Sequence, residues 1–203
     1  MSKKEMFDER YKTGNTPWEL ERPDSNLIEI VKNKNILPCK TLEIGCGTGS
    51  NAIWLAQNKF DVTGIDFSSL AIEKAKVKSQ KQEVEIQFHV KDFFEPPKGE
   101  IDFEFIFDRG CFHSFENKED RLTFAENVSR HLKEGGQWYS IIGNADDGPR
   151  DEGPPMRSAL DIVTAVESFF EILFLVSGRF DSSREKPAQC WKCLMRKREK
   201  GAK

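Results

Sequence analysis

The chain has 203 residues, 37% hydrophobic and 32% charged, which suits one globular domain with a well-solvated surface. A formal net charge of −3 gives no footprint for a polyanion, so no nucleic acid is expected as a partner. No apolar run approaches the ~20 residues of a membrane span, and "MSKKEMFDERYK" lacks the apolar centre of a signal peptide. The expectation is a cytoplasmic protein without a membrane partner, a monomer or weak homo-oligomer.

In chain order, the first residues are mixed and polar until "DSNLIEIVK", which reads as a helix capped by Asp24 or Ser25. Leu27, Ile28 and Val31 share one side of it. "KTLEIGCGTGS" is a short apolar strand running into a glycine-rich turn, and "NAIWLAQNK" is a helix. "FDVTGIDFS" is a second strand ending at Asp66, "SSLAIEKAKVKSQKQ" a second crossover helix, and "VEIQFHVKDFF" a third strand ending near Asp92. "IDFEFIFDRG" is a fourth strand, ending near Asp108. A helix should then run from about Asn117 to Gly135-Gly136, with Leu122, Ala125, Val128 and Leu132 facing the core. "QWYSIIGN" is a fifth strand and "MRSALDIVTAVES" a helix. "FEILFLVSGRF" and "AQCWKCLMRK" are two final strands with no helix between them, which suits an antiparallel hairpin at one edge.

This alternation predicts an α/β fold: a Rossmann-like, doubly wound, mainly parallel seven-stranded sheet with an antiparallel edge strand and helices on both faces. Ligands in such sheets bind beyond the carboxyl ends of the strands. Glu43, Asp66, Asp92 and Asp108 all fall at or beside predicted strand ends. Five scattered cysteines argue against a disulfide framework. Cys190 and Cys193 match C-x-x-C, but three positions apart on a strand they point to opposite faces, so no metal site is expected.

The turn Gly45-Cys46-Gly47-Thr48-Gly49 stands between strand and helix, where glycines let a ligand approach the backbone. A dinucleotide fingerprint would need a third glycine where Ser50 stands. Glu43, two residues ahead of Gly45, would repel a pyrophosphate but suits an ammonium and a sulfonium. Asp66, 21 residues beyond Gly45, is placed to accept hydrogen bonds from ribose hydroxyls. Both features favour S-adenosylmethionine over a nicotinamide cofactor.

"LEIGCGTG" followed by "VTGIDFSSLAIEKAK" resembles the first two motifs of class I S-adenosylmethionine-dependent methyltransferases, a likeness reaching from Thr41 to the end of the chain. The resemblance implies that Glu43 holds the methionine portion and that Gly45, Cys46, Gly47 and Gly49 line the cofactor. It further implies that Asp66 binds the ribose, that Asp92 meets the adenine amino group, and that Phe67 and Phe93 flank the ring. "YKTGNTPWELERPDSNL" is similar to the small-molecule methyltransferases of the thiopurine and tellurite-resistance type, in which an N-terminal segment covers the cofactor. Trp18 and Arg22 are its candidate lid residues. Residues 1–38 would form lid and helix and residues 39–203 the core of a single domain.

The expected partner is a small-molecule methyl acceptor: a thiol, a metalloid or a thiopurine-like compound. "FDRGCFHSF" brings Asp108, Arg109, Cys111 and His113 to the carboxyl edge of the sheet. Asp108 and His113 are the candidate catalytic residues, and Asp108 and Arg109 also shape the cofactor pocket. Cys111 needs no role in direct transfer from a sulfonium. One alternative is an N- or O-methyltransferase with His113 as base; another is a non-catalytic S-adenosylmethionine-binding module. Arg150 and Arg157, in a Gly- and Pro-rich loop, are candidates for an anionic substrate. His89, in a strand, and His131, in a helix's last turn, read as structural.

Overall fold

The computed structural model describes residues 3–95, 102–148, 153–182 and 185–199. Its contacts divide into two compact units, Met1–Glu95 and Pro96–Lys203.

In the first unit, α1 (Lys3–Thr13) and α2 (Ser25–Asn33) precede β1 (Lys40–Ile44), α3 (Ser50–Gln57), β2 (Asp61–Asp66), α4 (Ser69–Lys81) and β3 (Gln87–Val90). The strands run parallel in the order β3-β2-β1. From Thr41 to Ile44, β1 is buried without alternation, as a parallel strand covered on both faces should be. Helix α2 starts where the sequence puts it, with the Asp24 carboxylate accepting from the Asn26 amide. Its buried apolar residues are Leu27 and Ile30, while Ile28 and Val31 are half-buried. Helix α1 was not foreseen. Its composition is polar, and Phe7 and Tyr11, one turn apart, are its main apolar contacts.

The second unit holds β4 (Phe103–Arg109), α5 (Lys118–His131), β5 (Leu132–Gly143), α6 (Ala159–Val166), β6 (Phe170–Arg179) and β7 (Gln189–Lys197). The strand order is β4-β5-β7-β6, with β4 and β5 parallel and β7 antiparallel to both of its neighbours. The hairpin expected of the last two strands is present, and the later strand takes the inner place. Seven strands in two mostly parallel sets, with helices in the crossovers, make the Rossmann-like α/β class expected from the alternation.

Helix α5 ends at His131, four residues before Gly135, and Leu132 opens β5. The β4–β5 register jumps from Phe103↔Leu132 to Phe105↔Gln137, so residues 133–136 bulge out of the ladder, with Gly135 at φ +71°. The helix is also rotated from its expected facing. Leu122 is exposed, and Arg121 and Phe124 take the inward positions beside Ala125 and Val128. Phe124 packs against Phe112 and Trp138, with ring centroids 6.1 and 5.9 Å away. Arg121 donates to the Phe115 and Glu116 carbonyls and to Asp161. Aromatic packing outweighed the simple spacing of aliphatic residues here.

Cys190 and Cys193 are buried free thiols, and burial pushes the Cys193 thiol far up. No group of metal-ligating side chains occurs among the described residues. His89 is exposed on β3. His131 is buried, its Nδ1 donating 2.7 Å to the Asn127 carbonyl and so satisfying a helix-end acceptor. Among the described residues no helix is long and apolar enough to cross a membrane.

Helix α6 begins with a capping box in which Ser158 Oγ accepts from the Asp161 amide and the Asp161 carboxylate accepts from the Ser158 amide. Ser158→Ala should cost about 1 kcal/mol, read as a lower urea midpoint. An unchanged midpoint would show the box to be dispensable.

Candidate cofactor and acceptor sites

The glycine turn is held in a left-handed path, with φ of +65°, +53° and +80° at Gly45, Gly47 and Gly49. Gly49 is the N-cap of α3. Below the turn, Asp66 ends β2 and grips it. One carboxylate oxygen accepts from the Gly47 amide at 3.0 Å and the other from the Ser68 amide at 2.9 Å. Burial pushes the Asp66 carboxyl up to about 6, against those two hydrogen bonds.

Glu43 lies on β1 beneath the same turn and is 2% exposed. Its Oε1 accepts from Asn51 Nδ2 at 2.9 Å, and Asn51 Oδ1 in turn accepts from the Asp24 amide. Its Oε2 is buried and makes no well-formed hydrogen bond among the described residues, although the nearby Ala52 amide favours the charged form of the carboxyl. Burial pushes the Glu43 carboxyl up to about 8, and the nearby charges of Glu19 and Asp66 add to the shift. An orphaned, buried carboxylate oxygen normally has a partner. Its chemistry asks for a cationic donor.

The N-terminal segment lies over this turn. The Glu19 carboxylate accepts from the Tyr11 hydroxyl, the Thr48 amide and the Thr48 hydroxyl. Trp18 Nε1 donates to the Tyr11 hydroxyl at 3.2 Å, and the Trp18 ring packs on Phe7, which meets Phe67 edge-on at 5.3 Å. Trp18 and Phe67 therefore belong to one aromatic group beside Asp66. Phe93 is buried, while Asp92 is exposed and accepts from the Phe94 amide in a local turn.

Arg22 and Cys46 stand apart from these carboxylates in what their side chains touch. Arg22 is exposed and lines a shallow groove with Ser50, Trp54 and Lys78, whose walls include neither Glu43 nor Asp66. Cys46 turns its buried thiol toward Gly64, where an added Cβ would stand 3.1 Å from the sulfur. The backbone of Cys46 shapes the turn and its side chain packs the core.

In the second unit, the cluster around residues 108–113 sorts by what each side chain touches. Asp108 is fully buried. Its Oδ1 accepts from the Cys111 and Phe112 amides and its Oδ2 from Trp138 Nε1 at 2.9 Å. That carboxylate is spent on pinning the short 3-10 turn Phe112–Ser114 to the core. These partners give Asp108 a framework role and lend no support to the catalytic and pocket roles expected of it. Arg109 donates to the Asp181 carbonyl at 2.7 Å and lies over the Phe180 ring. Arg157 donates to the Met156 and Phe115 carbonyls, so it braces its loop rather than reaching outward. Burial and nearby Arg121 lower its pKa. Arg150 lies outside the described residues.

His113 is buried against Phe180, ring centroids 5.9 Å apart. Its Nδ1 accepts from the Gly143 amide at 2.8 Å. A neutral ring accepting at Nδ1 carries its proton on Nε2, which makes that nitrogen a donor. Gly110, at φ +88°, makes room for it: a Cβ there would sit 3.0 Å from Nε2.

Four contributors escaped the sequence reading: Tyr11, Glu19, Asn51 and Gly143. Asn51 carried a signal, being a polar residue in the first turn of a helix directly behind the glycines. Gly143 acts through its backbone, which no residue pattern reveals.

The family model of Thiopurine S-methyltransferase (TPMT) matches residues 2–188. A probable thiol methyltransferase 2 of Arabidopsis thaliana is 29% identical over 151 residues, 73% of this chain and 65% of its own length. Thiocyanate methyltransferase 1 of Brassica oleracea is 27% identical over 183 residues, 89% of this chain and 76% of its own. Among solved structures, one from work on conversion of a disulfide bond into a thioacetal group during echinomycin biosynthesis superposes with a TM-score of 0.83. It is 24% identical, covers 99% of this chain and 94% of its own, and attests the fold.

The raised Glu43 carboxyl has a measurable sign. Folding favours its neutral form, so its contribution to stability is full below the ordinary value of 4.5 and is lost as pH climbs through about 8. The thermal midpoint of Glu43→Gln, relative to the parent protein, should therefore rise between pH 5 and pH 9 without ligand. The same difference at both pH values would show that Glu43 ionises as an ordinary carboxylate.

Proposed function

The chain belongs to the thiopurine S-methyltransferase family of S-adenosylmethionine-dependent enzymes, and from that premise we propose that it methylates a small, soft anion such as a thiolate, a metalloid anion or a thiopurine-like compound. The observation that carries the cofactor assignment is the buried Glu43 carboxyl, held neutral by burial until a cationic ligand stabilises its charged form. An ammonium group fits it. Glu43, Asp66 and Glu19 cluster three carboxylates about one glycine turn, and cationic character in the ligand offsets their mutual repulsion. Asp66 would hold the ribose, Asp92 would meet the adenine amino group, and Phe67 and Phe93 would flank the ring. The residues present therefore fit S-adenosylmethionine, which when bound supplies an electrophilic methyl on a sulfonium. The chain, acting as one domain over residues 1–203, has to align the acceptor and exclude water.

The soft-anion reading is supported by His113. A general base needs a lone pair facing its substrate, and the Nδ1 lone pair is committed to the Gly143 amide. An acceptor that arrives already deprotonated needs no such base. This disfavours N- or O-methylation with His113 as base. The names of the two plant relatives, which specify a thiol and thiocyanate, point to the same soft-anion class.

The test is labelled-methyl transfer from S-adenosylmethionine to thiols, thiocyanate, metalloid anions, thiopurines, amines and phenols. Turnover should appear with soft anions. For a thiol series, the pH at which kcat/KM reaches half its maximum should follow each thiol's own pKa, and thiocyanate should show no such step. One fixed pKa across all acceptors, abolished in His113→Gln, would restore the histidine as base. Asp66→Ala should weaken cofactor binding at least tenfold, about 1.4 kcal/mol, with circular dichroism unchanged. Undiminished affinity would remove Asp66 from the ribose site.

A further inference from the structure

The short stretch ahead of α2 is fastened at three successive places to the glycine turn and the start of α3. The Thr48 amide and hydroxyl both donate to Glu19, Ser50 Oγ donates to the Leu20 carbonyl at 2.6 Å, and the Asp24 amide donates to Asn51 Oδ1 at 2.8 Å. Two of these ties use backbone groups of the segment, so composition does not control them. The Glu19 tie is the one made by a side chain of the segment. Glu19 also gathers the Tyr11 hydroxyl at 3.1 Å, and Tyr11 receives Trp18 Nε1, so a continuous hydrogen-bonded path runs Trp18–Tyr11–Glu19–Thr48. The bare Cα of Gly47 admits the carboxylate, since a Cβ there would stand 2.3 Å from Glu19 Oε1.

We propose that Glu19 is a positioning residue that clamps the segment Tyr11–Leu20 onto the glycine turn and thereby sets the affinity for the adenosyl ligand. The proposal rests on the adenosyl site assigned above. A carboxylate is placed here at an electrostatic cost, because Glu19 raises the pKa of both Glu43 and Asp66. Three donors on one carboxylate offset that cost and fix the geometry. Glu19 thus acts through the seating of Trp18, Tyr11 and the turn. The clamp holds the segment in the same way whether the ligand carries a sulfonium or, after transfer, a thioether.

Glu19→Ala, Glu19→Gln and Thr48→Val should be compared in the full chain. The measurements are calorimetry with S-adenosylmethionine and S-adenosylhomocysteine, and amide hydrogen exchange of the ligand-free protein. Glu19→Ala should weaken both ligands at least tenfold and to the same extent, and should speed exchange across residues 11–20 and 47–49. Glu19→Gln, which keeps an acceptor oxygen, should fall between Glu19→Ala and the parent. Thr48→Val added to Glu19→Ala should cost nothing further, the sign of a shared interaction. Tighter binding by Glu19→Ala would make Glu19 a competitor of the ligand and overturn the clamp. A loss confined to S-adenosylmethionine, or unchanged exchange, would overturn it equally. A parent protein that binds neither ligand while Glu19→Ala still speeds exchange would leave the clamp standing and remove the adenosyl assignment.

Discussion

A carboxylate buried without enough donors is the constraint around which the first unit is arranged. Glu43 has one hydrogen-bonded oxygen and one without a hydrogen bond among the described residues, in a place where burial, aided by the charges of Glu19 and Asp66, pushes its ionisation up to about 8. Leaving a polar atom so placed costs free energy that a folded chain seldom gives up without use. The surrounding structure stabilises it as far as it can. Asn51 supplies one donor and is itself oriented by the Asp24 amide, which begins α2. Strand, helix and cap thus converge on one acid and stop one hydrogen bond short.

Asp66 and Asp108 show how position and role separate. All three acids stand at or next to the carboxyl end of a parallel strand. Asp66 spends each oxygen on one backbone amide, which shapes the glycine turn and leaves accepting capacity on both oxygens. Asp108 spends its oxygens on two amides and an indole and is sealed from solvent. Placement at a strand end selects candidates. The tally of donors around each carboxylate tells which are available to a ligand and which belong to the framework.

Much of this was legible in the sequence. Strand and helix periods, the glycine turn and the acids at strand ends all lie in local pattern, which the backbone period translates directly. The failures share a physical cause, namely long-range partners. Leu122 has helical spacing with Ala125 and Val128, yet Phe124 and Arg121 took the inward face, because Phe112, Trp138 and Asp161 are separated from them in sequence and near in space. Asp108 read as a reactive acid because its indole partner is 30 positions away. Helix α1 lacked an apolar stripe, and its order comes from Phe7 and Tyr11 meeting Phe67 and Lys74, far along the chain. Resemblance to a family helped where motifs are short and fixed.

The inner place of β7 has a consequence for how the protein comes into being. Within its unit, β7 lies between β5 and β6 and pairs along its length with both. It is also the last of the four to leave the ribosome. Strand β6 emerges with no neighbour to pair with, and β5 emerges with one edge bare, until residues 189–197 arrive. The first unit, whose strands and crossover helices follow one another directly, can close while synthesis continues. The second must wait for its central strand, so a nascent chain carries two unpaired, partly apolar strand edges for the whole of that interval.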